Sequence, residues 1–374
     1  MKKKILNLIK LFRIPHSAFR IHSAFCILHS AFEQRSVVSG QWSVRKLSNY
    51  ALCIMHSALI LLSACGAKPM SAPVSETRLL LSTVCTVTLY DPQDEALLAQ
   101  ALDLCAEYEA LFSMTIEGSD MWRINNAGGE PVEVSTLTAE VIRSGIFYGE
   151  LSGGMFDITI GRLSALWDFS GETIVPDEED ILAALKTVDH KQVTVTGDTV
   201  RLVSPEAWLD PGGIAKGYIA DLIASFLVEN GVKSAIIDLG GNIVAVGERP
   251  DGNPWRVGVR QPFGEYGELF GVIETYAASV VTAGIYERSF KSGGELYHHI
   301  LDPYTGLPVK TDIVSATIVT EGSMSGDALS TIILLVGSEA AATLLQQVPD
   351  FIGAVLIVEN GDYILYGNVE FSTV

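Results

Sequence analysis

Apolar and polar positions partly alternate over residues 79–90, a run rich in Leu, Val and Thr, and that period predicts a strand. The period then changes. Leu97, Leu98, Ala101, Leu102, Cys105, Tyr108, Leu111 and Phe112 recur at helical spacing and predict an amphipathic helix over 94–112. A second helix is expected over 138–151, stopped by Gly153-Gly154, and a third over 177–188, where Pro176-Asp177 and acidic residues suit the positive helix end. A hairpin over 191–203 turns at Gly197-Asp198, and a helix over 213–230 is closed by Gly231. Strands are expected around 235–239, 243–246, 256–259, 271–280, 314–319 and 354–358, with helices over 325–335 and 339–347 among the last of them. Helices and strands mix without a steady strand–helix beat, which favours an α+β architecture over a doubly wound sheet. No linker or low-complexity stretch divides 79–374, so this part reads as one compact unit.

Composition narrows the classes. With 374 residues, 48% hydrophobic and 18% charged, the chain can bury a sizeable core. The formal net charge is -19, yet the first 64 residues carry nine of the 25 basic residues and one of the 44 acidic ones. The remainder holds 16 basic against 43 acidic residues, a net of -27. Such a surface repels nucleic acid and anionic headgroups, so any membrane attachment has to come from an anchor.

The N-terminus reads as an address. Arg45-Lys46 precedes an apolar stretch over 51–62, and Leu62-Ser63-Ala64-Cys65 has the form of a bacterial lipoprotein signal. On this reading residues 1–64 are expected to be a leader, Cys65 the lipidated first residue on the extracytoplasmic face of the cell membrane, 65–78 a tether and 79–374 the main domain. Upstream, His-Ser-Ala-Phe recurs at His16, His22 and His29, and His56-Ser-Ala-Leu follows, copies without the period of a repeat fold. They point to a start near Val44 or Leu47. Beyond the leader, Cys85 and Cys105 have no zinc or CxxC spacing and read as small buried apolar residues.

Three segments carry chemistry. Leu209-Asp210-Pro211-Gly212-Gly213-Ile214-Ala215-Lys216-Gly217 puts glycines and a lysine at a helix entrance, a place for a phosphate, although it meets neither the Walker nor the Rossmann pattern and equally suits a tight turn. Tyr297-His298-His299-Ile300-Leu301-Asp302-Pro303-Tyr304-Thr305-Gly306 carries two histidines toward a turn. Neighbouring strand residues face opposite ways, so one of the two can meet a site as a base or serve as a structural histidine. In Ser325-Gly326-Asp327-Ala328-Leu329-Ser330-Thr331, Asp327 and Thr331 are four apart and share a helical face. Oxygen donors of that kind suit Mg²⁺ or Ca²⁺, while Asp327 also suits helix capping.

In this order the segments resemble the FAD:protein FMN transferases, the ApbE or thiamine-biosynthesis lipoprotein family. Further matches are Phe112-Ser113, Ser119, Ile124-Asn125, the run from Gly154 to Gly161 with Leu163 and Trp167, Asp238 to Asn242 with Trp255, and Thr282 to Arg288. The resemblance implies a single mixed unit of the ApbE-like, T-fold-related type. It implies Mg²⁺-dependent transfer of FMN from FAD, the substrate, to a Thr or Ser hydroxyl of an acceptor protein with a Ser/Thr-Gly-Ala-Thr-like motif, releasing AMP. It makes Asp327 and Thr331 metal ligands with a carbonyl near Gly213. Met155, Phe156, Asp157 and Ile300 should line the FAD pocket with Asp210 and Lys216 beside it, and His299 is the base. The sequence departs from the family at Leu81-Ser82 of Leu81-Ser82-Thr83, where Met-Gly-Thr is common, and at Thr115, Ala283 and Ile285. Two other functions fit the same residues: a metal-dependent FAD pyrophosphatase and a non-catalytic flavin-binding lipoprotein.

Overall fold

The first strand-like run folds back on itself. Ser75 and Thr77 meet Thr88 and Thr86 through hydroxyl hydrogen bonds of 2.9 and 3.0 Å, and the expected single strand is a hairpin of β1 (Val74–Leu80) and β2 (Thr83–Leu89). Its turn residues, Leu81 and Ser82, have φ of 54° and 56°, the left-handed geometry that matches hairpin twist. The expected tether over 65–78 is therefore corrected at its end, because Val74 onward is paired strand with polar side chains locked across the ladder.

This computed structural model describes residues 72–91, 95–169, 174–265 and 267–374, so the leader, Cys65 and the tether up to residue 71 fall outside. After the hairpin come α1 (Ala96–Phe112), α2 (Asp120–Asn125), β3 (Val132–Glu133), α3 (Thr136–Leu151), α4 (Gly161–Ser164) and α5 (Glu178–Leu185). Then follow β4 (Val193–Thr196), β5 (Thr199–Leu202), α6 (Ala215–Glu229), β6 (Ser234–Leu239), β7 (Asn242–Gly247), β8 (Trp255–Arg260), β9 (Leu269–Thr275) and β10 (Ala278–Gly284). The chain ends with β11 (Ser289–Ser292), β12 (Glu295–His298), β13 (Ile313–Thr320), α7 (Ser323–Leu345), β14 (Phe351–Val358), β15 (Tyr363–Gly367) and β16 (Glu370–Thr373).

Eight strands pair antiparallel in the order β1-β2-β6-β7-β10-β13-β14-β15, and the described residues form one compact unit. Helices α1, α6 and α7 pack on this sheet and on each other, α1 against β1 and β2, α6 against β6 and β7, α7 against β10 and β13. Every residue of β13 is buried, its Ile, Val and Ala side chains interspersed with small hydroxyl residues, Ser315, Thr317 and Thr320, instead of charged ones. The strand expected over 271–280 is two strands in different sheets, β9 with β8 and β16, and β10 in the large sheet. The two helices expected over 325–335 and 339–347 are present, running through Ser323–Leu345 (together α7) and separated where Gly337 leaves helical geometry with φ 79° and ψ 172°. It is long and apolar enough to cross a membrane, but its apolar face is spent on the core of this unit.

Candidate active site

The glycine-rich segment is held before its helix begins. Asn125 from α2 clamps Leu209 through both sides of its amide, Nδ2 donating to Leu209 O at 3.0 Å and Oδ1 accepting Leu209 N–H at 2.7 Å. Asp210 then turns the chain, accepting Gly212 N–H at 2.8 Å and the Ser164 hydroxyl at 2.7 Å. Pro211 O accepts the N–H groups of Ile214 and Ala215, and α6 starts. Glycine is required twice here. A Cβ on Gly213 would lie 2.8 Å from the Phe156 ring and 3.8 Å from Thr331 Oγ1, and one on Gly217 would lie 2.3 Å from Ser323 O. The starts of α6 and α7 thus touch backbone to backbone.

That contact assembles the polar cluster. Asp327, 4% exposed, accepts Gly217 N–H through Oδ2 at 2.9 Å, and its Oδ1 lies 3.3 Å from Lys216 Nζ. The same ammonium donates to Gly212 O at 3.3 Å. Capping of α7 falls to another residue. Asp221 of α6 accepts from Ser323 N at 2.7 Å and Met324 N at 2.9 Å. Burial, with Asp350 and Asp327 nearby, raises its carboxyl above the usual range against the pull of those two bonds. Asp327 stands one turn further on and is free of the capping role that its sequence context allowed.

The hairpin of β11 and β12 brings in the histidines, and their faces differ as strand alternation requires. His298 is buried with Nε2 3.2 Å from Val309 O, and burial pulls its pKa to about 4. His299 lies on the other side, its N–H bonded to Arg288 O and its ring edge-to-face with Phe169 at 6.5 Å. Burial first, then the charges of Arg288, His298 and Lys216, depresses the His299 pKa to about 3, so the imidazole is neutral at working pH. Its Nδ1 is enclosed and without a partner in the described structure.

Glu287 had no role in the sequence reading. It keeps contact with solvent although protein surrounds it, and that burial, aided by Asp327 and opposed by Lys216, Arg260 and Arg288, raises its carboxyl to about 7. Only its place in Thr282 to Arg288 marked it, since nothing local says that the turn after β10 points at α6.

The remaining expected site residues are distributed. Phe156 is 6% exposed against Gly213, and Met155 is partly buried on the core beside it. Ile300 is buried in the core. Asp157 is engaged internally: Oδ1 accepts from Thr159 N at 2.8 Å and Thr159 Oγ1 at 2.5 Å, and Oδ2 meets His190 N at 2.9 Å and Nδ1 at 3.0 Å. It lines a cleft of about 340 Å³ with His190, Lys191 and Tyr304, which includes none of Lys216, His299, Asp327 and Thr331.

Among the described residues no three His, Cys, Asp or Glu side chains are grouped to hold a metal. What converges is one carboxylate, one hydroxyl and main-chain oxygens, with a lysine ammonium lodged between Asp327 and Gly212 O as a cation of the protein's own. An all-oxygen set that already attracts a cation suits a hard divalent ion completed by substrate phosphates.

Residues 81–356 match the model of the ApbE family. The chain belongs to this family. A FAD:protein FMN transferase of Klebsiella pneumoniae is 35% identical over 78% of this chain and 91% of its own, and one of Treponema pallidum 33% over 76% and 85%. The crystal structure of the ApbE protein of Thermotoga maritima superposes with a TM-score of 0.71 at 29% identity, covering 78% of this chain and 96% of that one. Membership of the ApbE family and the mixed fold expected from the sequence agree with these matches.

Proposed function

We propose that this chain transfers the FMN half of FAD to a Ser or Thr hydroxyl of an acceptor protein, releasing AMP. The observation that carries the reading is the gathering of Asp327, Lys216 and the Gly212-Gly213 backbone at the head of α6, with the Thr331 hydroxyl close to Gly213 and a neutral His299 within range of the Lys216 charge. Asp327, Thr331 and a carbonyl near Gly213 would hold Mg²⁺. When bound it supplies charge compensation across the FAD diphosphate. The chain's own groups do the rest. Lys216 and Arg288 put positive charge beside the diphosphate in a strongly acidic protein. His299, kept unprotonated by those same charges and by burial, accepts the proton of the acceptor hydroxyl as its oxygen attacks phosphorus. With Nδ1 enclosed, Nε2 is the nitrogen left for that proton. Membrane attachment through a lipid on Cys65, with the protein facing outward, completes the proposal and rests on the signal pattern alone.

The test is incubation of the purified protein with FAD, Mg²⁺ and an acceptor bearing a Ser/Thr-Gly-Ala-Thr-like motif, read as flavin fluorescence on the denatured acceptor. Covalent fluorescence is expected, falling at least about 100-fold in Asp327→Asn, a loss typical of removing electrostatic stabilisation at a phosphoryl centre. Free FMN and AMP without labelled acceptor would replace transfer by hydrolysis. FAD retained unchanged would leave a binding protein.

A further inference from the structure

Nδ1 of His299 is enclosed and has no hydrogen-bond partner among the described residues. A histidine base is ordinarily oriented by a group bonded to the ring nitrogen that does not take the proton. Here packing has to do that work, and two pairs of aromatic rings supply it. Trp167 and Phe169 stand two apart just beyond α4, and their rings stack with centroids 5.7 Å apart and planes at 6°. Phe290 of β11 and Tyr297 of β12 are cross-strand partners and stack at 5.4 Å and 16°. The pairs interlock, Trp167 lying 5.8 Å from Tyr297 and Phe169 5.8 Å from Phe290. They belong to a small apolar cluster separate from the main core. The Trp167 indole N–H, donated to Gly306 O at 3.1 Å, ties this block to the turn that follows His299. Strand alternation puts Tyr297 and His299 on one face, and the imidazole joins the block edge-to-face with Phe169, at 6.5 Å and 74°.

We propose that Phe169, braced by Trp167, is a positioning residue for the base: its ring, in place of a hydrogen-bonded carboxylate, fixes the plane of the His299 imidazole and keeps water from it. The proposal rests on the transfer reading, in which Nε2 of His299 takes the proton of the acceptor hydroxyl. A carboxylate behind the imidazole would hold it in place too, but would also stabilise the imidazolium and fill the base with a proton before the acceptor arrives. An aromatic ring carries no formal charge. It orients the imidazole while the charged groups that act on it, Arg288, His298 and Lys216, continue to oppose protonation. Phe169 therefore contributes geometry and exclusion of water to the chemical step and makes no contact with the metal ligands. Its loss belongs in kcat and in the titration of His299, and leaves the KM for FAD in place.

The full chain carrying Phe169→Ala, Phe169→Leu or Phe169→Tyr is compared with the unchanged protein in two ways. Steady-state transfer to the acceptor with FAD and Mg²⁺ gives kcat, the KM for FAD and the pH profile of kcat/KM. NMR of protein labelled with nitrogen-15 histidine, the His299 signals assigned by their loss in His299→Gln, follows the imidazole without turnover. Phe169→Ala is expected to lower kcat up to about 100-fold, the loss that goes with displacing a reacting group by about 1 Å, and to change the KM for FAD less than about 2-fold. Water admitted to the ring favours imidazolium, so the His299 pKa rises from about 3 toward 6.5 and kcat/KM gains an acid limb. Phe169→Leu keeps most of the apolar volume, so it moves both readouts the same way by less and serves where the Ala variant does not fold. Phe169→Tyr keeps the ring and restores both. A His299 titration in the folded Ala or Leu variant that coincides with that of the unchanged protein, or a loss of kcat that Tyr does not reverse, overturns the proposal. Unlabelled acceptor with the unchanged protein would instead fail the transfer reading, and the NMR titration would still decide whether Phe169 holds the imidazole.

Discussion

One side chain of the site, His299, titrates far from its usual range, and the cause lies in what surrounds it. Burial first, then the charges of Arg288, His298 and Lys216, keeps His299 neutral far below the ordinary histidine range, so its deprotonation cannot limit the rate near pH 6.5. The kcat/KM profile is expected to lack an acid limb between pH 6 and 7 that belongs to this residue. A limb centred near 6.5 that disappears in His299→Gln would contradict the assignment. A different strain is stored at Ser82. An L-residue at φ 56° costs roughly 1 kcal/mol or more, partly offset in a Ser82→Gly variant by the greater freedom of glycine in the unfolded chain. That variant, which restores the glycine common in the family, is expected to be about 0.5 kcal/mol more stable in thermal unfolding, and a lower melting temperature would refute it.

At the level of elements, the site is the place where two helices start side by side. Their closeness depends on Gly217, which leaves no room between α6 and the backbone of Ser323 and Met324. In Gly217→Ala the added methyl must push α7 away, carrying Asp327 off the Gly217 N–H and Thr331 off Gly213. A cost of about 1–3 kcal/mol in urea unfolding is expected, with activity lost well beyond the unfolded fraction. Normal activity in a fully folded variant would show that this spacing is not needed. The trans cap from Asp221 belongs to the same device: it satisfies the first N–H groups of a helix whose own cap residue, Gly322, has no side chain to offer.

For the whole molecule, the buried histidines set a direction of pH dependence. His298 and His299 titrate at about 4 and about 3 when folded and near 6.5 when unfolded, so the unfolded chain takes up more protons between those limits. Their stabilisation is complete above pH 6.5 and is lost as pH falls toward 4. Glu287 acts the other way, its contribution present below 4.5 and fading as pH rises through about 7, but water in the cleft weakens it. Urea unfolding is therefore expected to give a lower free energy at pH 4.5 than at pH 7, and the reverse order would count against buried neutral histidines. Much of this molecule could be read from the chain alone. Helical spacing marked α1, α3 and α6, since burying one face of a helix demands apolar residues at that spacing. The ordered motifs marked the family, which the match to the ApbE family over residues 81–356 bears out. Other features needed the fold. β15 alternates exposed with half-buried residues and has no continuous apolar face to announce it. Glu287 and Lys216 are separated by the strands from β6 to β10, and Asp157 is drawn to His190 by a contact 33 residues away. Spacing along a chain reports what one element buries; which charges end up in one cleft depends on how elements cross, and that is decided only when the core closes.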